Sequence, residues 1–128
     1  YFPRKRVNEN KFIRSYRYID RFIDISNKTN TLSISAGVIE SKASLFLAPF
    51  NKNYQILNEL RLNLIKSNMK KAAISGKIFH LWWHPHNFSN NTNINLYYLR
   101  KIYEYFSFLR NEYGMISKNM GELTHESI

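Results

Sequence analysis

The sequence predicts an α/β protein, and three observations along the chain carry that prediction. Apolar residues recur at helical spacing ahead of Gly76 and again ahead of Gly114, so each run ends where a glycine can close a helix. Between the two runs stands "KIFHLWW", Lys77 to Trp83, a short aromatic stretch of strand-forming residues stopped by Pro85. Helix, glycine, strand, polar loop and helix, in that order, is the alternation of a protein built on parallel strands. In such folds functional loops lie beyond the carboxyl ends of the strands.

The first 50 residues are the least regular. "KFIRSYRYIDRFIDI" reads as a helix, "TLSISAGV" as a strand, and "LFLAPFNKNY" as a loop entering the first long helix. That helix is predicted from about Asn53 to Ser75, with Leu57, Leu60, Leu64, Ile65, Met69, Ala72 and Ala73 on its buried face. After the predicted strand, a loop rich in Asn, Ser and Thr covers residues 87–95. The second helix then carries a narrow stripe of Leu96, Leu99, Ile102, Tyr103, Phe106, Leu109 and Tyr113.

No repeat, low-complexity linker or internal boundary divides the chain, and 128 residues are the size of one domain. Hydrophobic residues at 44% supply enough apolar surface to offset the entropy of ordering one modest core. The chain opens on Tyr1 rather than Met, and a piece of a longer protein is expected. No run approaches the roughly 18 apolar residues of a membrane span, so no span is expected, the visible chain should be soluble, and no compartment is assigned.

The absence of cysteine excludes disulfides, thiolate metal sites and a thiol nucleophile. A net charge of +10 admits nucleic acid, an anionic membrane or an acidic polysaccharide as partner. The basic residues are dispersed, however, and Arg4, Lys5 and Arg6 form the one tight cluster, so a solvated basic surface is the expectation and nucleic acid is not expected.

"HLWWHPHNF", residues 80–88, holds three of the four histidines. If it is extended, Ile78, His80, Trp82 and His84 share one face and Phe79, Leu81 and Trp83 the other, and His80 and His84 lie about 13 Å apart, too far to grip one ion. His84 and His86 flank Pro85 and are close enough to share an ion, but two nitrogens are too few for a tight site, and Asp20 and Asp24 are the only aspartates. Proton transfer is the other use, and His84 at the strand end is best placed for it. His80 reads as a core residue and His86 either as a loop hydrogen-bonder or as part of the site. Trp82 and Trp83 are core and pocket wall, or one of them is a sugar platform.

"GKIFHLWWHPHNF" together with "NLYYLRKIYEYFSFLRNEYGMISKNMGEL" resembles the carboxyl-terminal end of polysaccharide deacetylases of the NodB-homology type, from about Leu57 to Leu123. These are metal-dependent carbohydrate esterases, so the resemblance implies the carboxyl-terminal part of a distorted (β/α) barrel, left incomplete in this chain. The late Leu-x-x-His motif of that family maps onto Leu81, Trp82, Trp83 and His84. By resemblance His84 protonates the leaving amine and Leu81 lines the pocket for the acetyl methyl, while Trp82, Trp83, His86 and Asn87 are taken as substrate-binding. "YFPRKRVN" is similar to a Phe-Pro-Arg segment in which an arginine positions the catalytic aspartate. Arg4 is the candidate, against its reading as part of a surface basic cluster.

The departures bear on activity. The paired aspartates of the family's first motif and the His-x-x-x-His of its second, which hold Zn²⁺ or a similar ion, are missing; His80 and His84 have the spacing but lie on the predicted strand. No cofactor is therefore assigned to this chain, although the intact family enzyme takes a divalent metal. The segment between Arg6 and Thr31 is also short for the family, which implies a truncated, internally shortened chain.

The resulting expectation is a fragment of a deacetylase acting on polysaccharide or oligosaccharide with N-acetylated amino sugars, inactive without the amino-terminal part of the barrel. The alternative is a non-catalytic glycan-binding or structural remnant.

Overall fold

The structure is a computed structural model that describes residues 33–35, 38–40 and 43–125. The helix expected in "KFIRSYRYIDRFIDI", and Arg4, lie outside the described residues. In chain order the elements are β1 (Ser33–Ser35), β2 (Val38–Glu40), β3 (Leu45–Phe46), α1 (Gln55–Ser75), β4 (Leu81–Trp82), a 3₁₀ turn (Pro85–Phe88), α2 (Thr92–Tyr113) and α3 (Met120–His125).

Where one strand was expected in "TLSISAGV", two short ones form. β1 and β2 pair antiparallel, with Ser33 opposite Glu40 and Ser35 opposite Val38. The segment expected to be a loop, "LFLAPFNKNY", begins with β3, which pairs in parallel with β4, Leu45 opposite Leu81 and Phe46 opposite Trp82. The clue was the alternation: Leu45 and Leu47 are buried and Phe46 between them is turned the other way. The pairing is short because β3 is short. Leu47 N–H still donates to Trp82 O, but Ala48 N–H turns back onto Phe46 O and Pro49 cannot donate. Of the strand expected over Lys77 to Trp83, only Leu81–Trp82 has a ladder partner, with Ile78 in an isolated bridge.

Both long helices end as their sequences indicate. Gly76 (φ 62°) and Gly114 (φ 69°) adopt the left-handed conformation that costs glycine little, and their N–H groups donate back to Ala72 O and Arg110 O. α3 begins with a reciprocal cap: Asn119 Oδ1 accepts from Glu122 N–H, and Glu122 Oε2 accepts from Asn119 N–H. Among the described residues no helix is long and apolar enough to cross a membrane.

Leu45, Leu47, Phe50, Leu62, Ile65, Met69, Tyr98, Ile102 and Leu109 form the core. The α2 face that enters it is rotated from the expected stripe: Asn95 and Tyr98 are buried, while Leu96 (51% exposed) and Tyr103 (56%) face outward. On α1, Leu60 is likewise outside and Asn58 inside. Apolarity alone misplaces these faces because three asparagines, Asn58, Asn68 and Asn95, are buried with hydrogen bonds.

Asn95 is fully buried; its Oδ1 accepts from Phe50 N–H at 2.7 Å and its Nδ2 donates to Asn90 O at 2.9 Å and Asn91 O at 3.2 Å. Asn58 repeats the device on α1, donating from Nδ2 to Asn51 O at 2.7 Å and accepting from Asn51 N–H at 3.3 Å. Phe50, thus fixed, stacks on Tyr98 at 4.2 Å with the rings 14° apart, and the Arg61 guanidinium lies over its ring at 5.5 Å. Arg61 also donates to Ala48 O and Pro49 O. The loop from β3 to α1 is therefore held against both helices through its backbone.

Two outcomes follow. Asn95→Ala strands the buried Phe50 N–H and should cost about 1–3 kcal/mol, read as a lower urea midpoint with an unchanged slope; a loss under about 0.5 kcal/mol would count against the clamp. The Tyr98 phenol is pushed up to about 12, first by burial and then by its 2.9 Å hydrogen bond to Glu59 Oε1. A folded value above the unfolded one near 10 means the stabilisation is intact below pH 10 and is lost as pH rises through 12. Stability measured across that window should fall more steeply for the natural chain than for Tyr98→Phe.

Candidate functional site

The histidine segment takes its course from β3, β4 and Pro85. His80 O accepts from Ser44 N–H and Leu45 N–H, and His80 N–H donates to Ser44 Oγ at 3.0 Å, so the backbone entering β4 is held to β3. Past β4, the residue before a proline is confined to extended conformations, and His84 complies with φ −92° and ψ 135°. Pro85, whose missing N–H is no loss at a first helical position, then opens the 3₁₀ turn, closed by Asn87 N–H donating to His84 O.

Alternation sorts the side chains as expected from an extended segment. Phe79, Leu81 and Trp83 pack against the core, and Trp83 also meets Phe88 at 6.0 Å. Trp82 points the other way, 36% exposed, and the His84 and His86 side chains are exposed with it. There the rings form one continuous ledge. Phe46 meets Trp82 at 4.6 Å and His84 at 6.0 Å, His84 stands edge-on to Trp82 at 5.1 Å, and His86 stacks on His84 at 5.1 Å.

The predicted site residues are thus divided. Trp82, His84 and His86 come together; Leu81 and Trp83 lie on the core side of the strand, away from the His84 ring. Asn87 is half-buried, and its Nδ2 is sealed from solvent without a hydrogen-bond partner, so it presents no donor at the surface. Phe46 belongs to the ledge and was missed in the sequence, where the Leu45-Phe46-Leu47 alternation was its only signal.

The ring geometry also tests shared ligation by His84 and His86. Imidazole lone pairs lie in the ring plane, and two rings stacked only 14° from parallel aim their lone pairs along neighbouring planes rather than at one point about 2.0 Å from both. In this arrangement the pair does not fit a chelate, and among the described residues no group of three or more His, Asp or Glu side chains is placed to hold a metal ion. What the ledge offers is an exposed imidazole at a strand end beside a partly exposed indole, a setting for proton transfer and for ring contacts.

Comparison of this chain with protein-family models, with curated proteins and with solved structures finds no match.

Proposed function

We propose that the chain is the carboxyl-terminal portion of a polysaccharide deacetylase that removes acetyl groups from N-acetylated amino sugars of a surface or envelope glycan. The observation that carries this reading is the place of His84: an exposed imidazole just past the carboxyl end of β4, on the side of a parallel strand pair turned away from the core. That is where α/β folds gather their chemistry. The parallel pairing of β3 and β4 across α1 supports the incomplete (β/α) barrel that goes with the reading.

In the reaction a water oxygen bonds to the acetyl carbonyl carbon and the C–N bond breaks. The amine nitrogen leaves with the electron pair and takes a proton from His84; one proton of the water restores His84 through solvent and the other is released to solvent. Acetate and a free amine result. His84 has the reach for this because its ring is exposed and braced by Trp82 and His86. The residues that would hold the family's divalent metal are missing from this sequence. The chain alone is proposed to be inactive, since its sequence holds no adjacent aspartates and its one His-x-x-x-His, at 80–84, is drawn out along a strand. A second reading, a glycan-binding element without catalysis, is favoured by the exposed Trp82 ring.

Acetate release from oligomers of N-acetylglucosamine is the test. In the longest protein that the gene encodes, His84→Ala should lower turnover by about 10² to 10⁴; an unchanged rate removes His84 from the chemistry. The 128-residue chain should release none, and robust release by it would overturn its proposed inactivity.

A further inference from the structure

The rings around His84 meet it at very different angles. Its plane is 14° from that of His86 and 87° from that of Trp82, each with centroids 5.1 Å away, and the Phe46 ring lies at 6.0 Å. One nearly parallel and one nearly perpendicular neighbour restrain a flat ring about different axes. The backbone beneath is already committed, since Pro85 keeps His84 extended and the His84 carbonyl accepts from Asn87 N–H at 2.9 Å. Only χ1 and χ2 are left to settle, and the rings act on both.

We infer that Trp82 and His86, expected from the sequence to bind substrate, are instead positioning residues that hold the His84 imidazole in one orientation by ring contact. The inference rests on the reading of His84 as the proton donor and adds how that donor is aimed. A histidine that transfers protons is ordinarily oriented by a hydrogen bond to one of its nitrogens. Among the described residues neither nitrogen of His84 has such a partner, so there the orientation falls to the rings.

Both neighbours are themselves anchored. Phe46, opposite Trp82 in the parallel pairing, meets the indole at 4.6 Å and 51°. His86 is fixed through its carbonyl, which accepts from Ser89 N–H at 3.2 Å and from Ser89 Oγ at 2.7 Å. The orientation of His84 is therefore passed down from the strand pair on one side and the 3₁₀ turn on the other.

Aim matters to a general acid. Its N–H must come within about 2.6–3.2 Å of the leaving nitrogen, and about 1 Å of misplacement can cost up to about a hundredfold. A single ring contact biases its geometry by about three- to tenfold, so losing one should lower turnover by about that factor, well short of losing His84 itself. A ring that gripped the sugar would instead show itself in KM.

The experiment has a structural arm and a kinetic arm. In the 128-residue chain, with no substrate present, NMR couplings across χ1 of His84 should report one dominant rotamer, and Trp82→Ala and His86→Ala should each move them toward an average of several. Trp82→Phe and His86→Phe keep a ring without the indole or imidazole nitrogens, so they should hold the couplings near their natural values and guard against a merely misfolded variant. In the longest protein that the gene encodes, acting on oligomers of N-acetylglucosamine, the alanine variants should lower kcat about three- to tenfold with KM within about twofold. The phenylalanine variants should recover kcat to within about twofold.

Averaged couplings in the natural chain overturn the inference, and couplings that an alanine substitution leaves unmoved overturn the role of the residue replaced. An unchanged kcat, or a KM that rises in its place, does the same. Because the couplings are read without hydrolysis, the two ideas fail separately. Couplings that respond as expected, alongside a longer protein that releases no acetate, support the positioning and count against the deacetylase. Acetate release with unmoved couplings does the reverse.

Discussion

The arrangement of this domain depends on a buried amide. Asn95 sits at no exposure in the first turn of α2, and its three hydrogen bonds reach Phe50 N–H on one side and the carbonyls of Asn90 and Asn91 on the other. A buried backbone N–H must find a partner or carry its full desolvation cost, so the loop after β3 is committed to the start of α2. Phe50 then has one place to lie, against Tyr98, and Arg61 and Asn58 on α1 hold the same loop from its other end. Because β3 is continuous with that loop and pairs with β4, the position of the ledge follows from the same constraint.

The ledge shows how little sequence is needed to shape a surface once its ends are fixed. Extended backbone from β4 through His84 sends alternate side chains to opposite sides, and Pro85 both keeps His84 extended and bends the chain into a turn. His86 is thereby brought back beside His84 instead of travelling on along the strand direction. The same geometry that makes the two imidazoles neighbours lays them face to face, a poor arrangement for gripping an ion.

Much of this was legible in the residues. The ends of both long helices are read from Gly76 and Gly114, since a left-handed position strongly favours glycine, and the two-sided sorting of residues 79–84 follows from the period of a strand. The misplaced helix faces have one cause. A rule that equates buried with apolar placed Leu60, Leu96 and Tyr103 inside and overlooked Asn58 and Asn95, whose burial is justified only by partners distant in sequence or in loops. β3 was overlooked because two residues ahead of a proline are too short a run to signal a strand without a partner in view. The split of Leu81 from His84 was implicit in the alternation, yet a motif written as letters carries no faces.

The crossover between β3 and β4 also sets an order in time. Ser44 and His80, 36 positions apart, meet by a hydrogen bond, and closing so long a segment as a random chain costs entropy before any contact rewards it. A 21-residue helix fills most of that interval and can form on a microsecond scale from local contacts alone. Helix formation replaces a floppy loop by a rod about 31 Å long with a short connection at each end, so the search left to the strands is small. The meeting of Phe46 with Trp82 is thus made easier by a helix that neither of them belongs to.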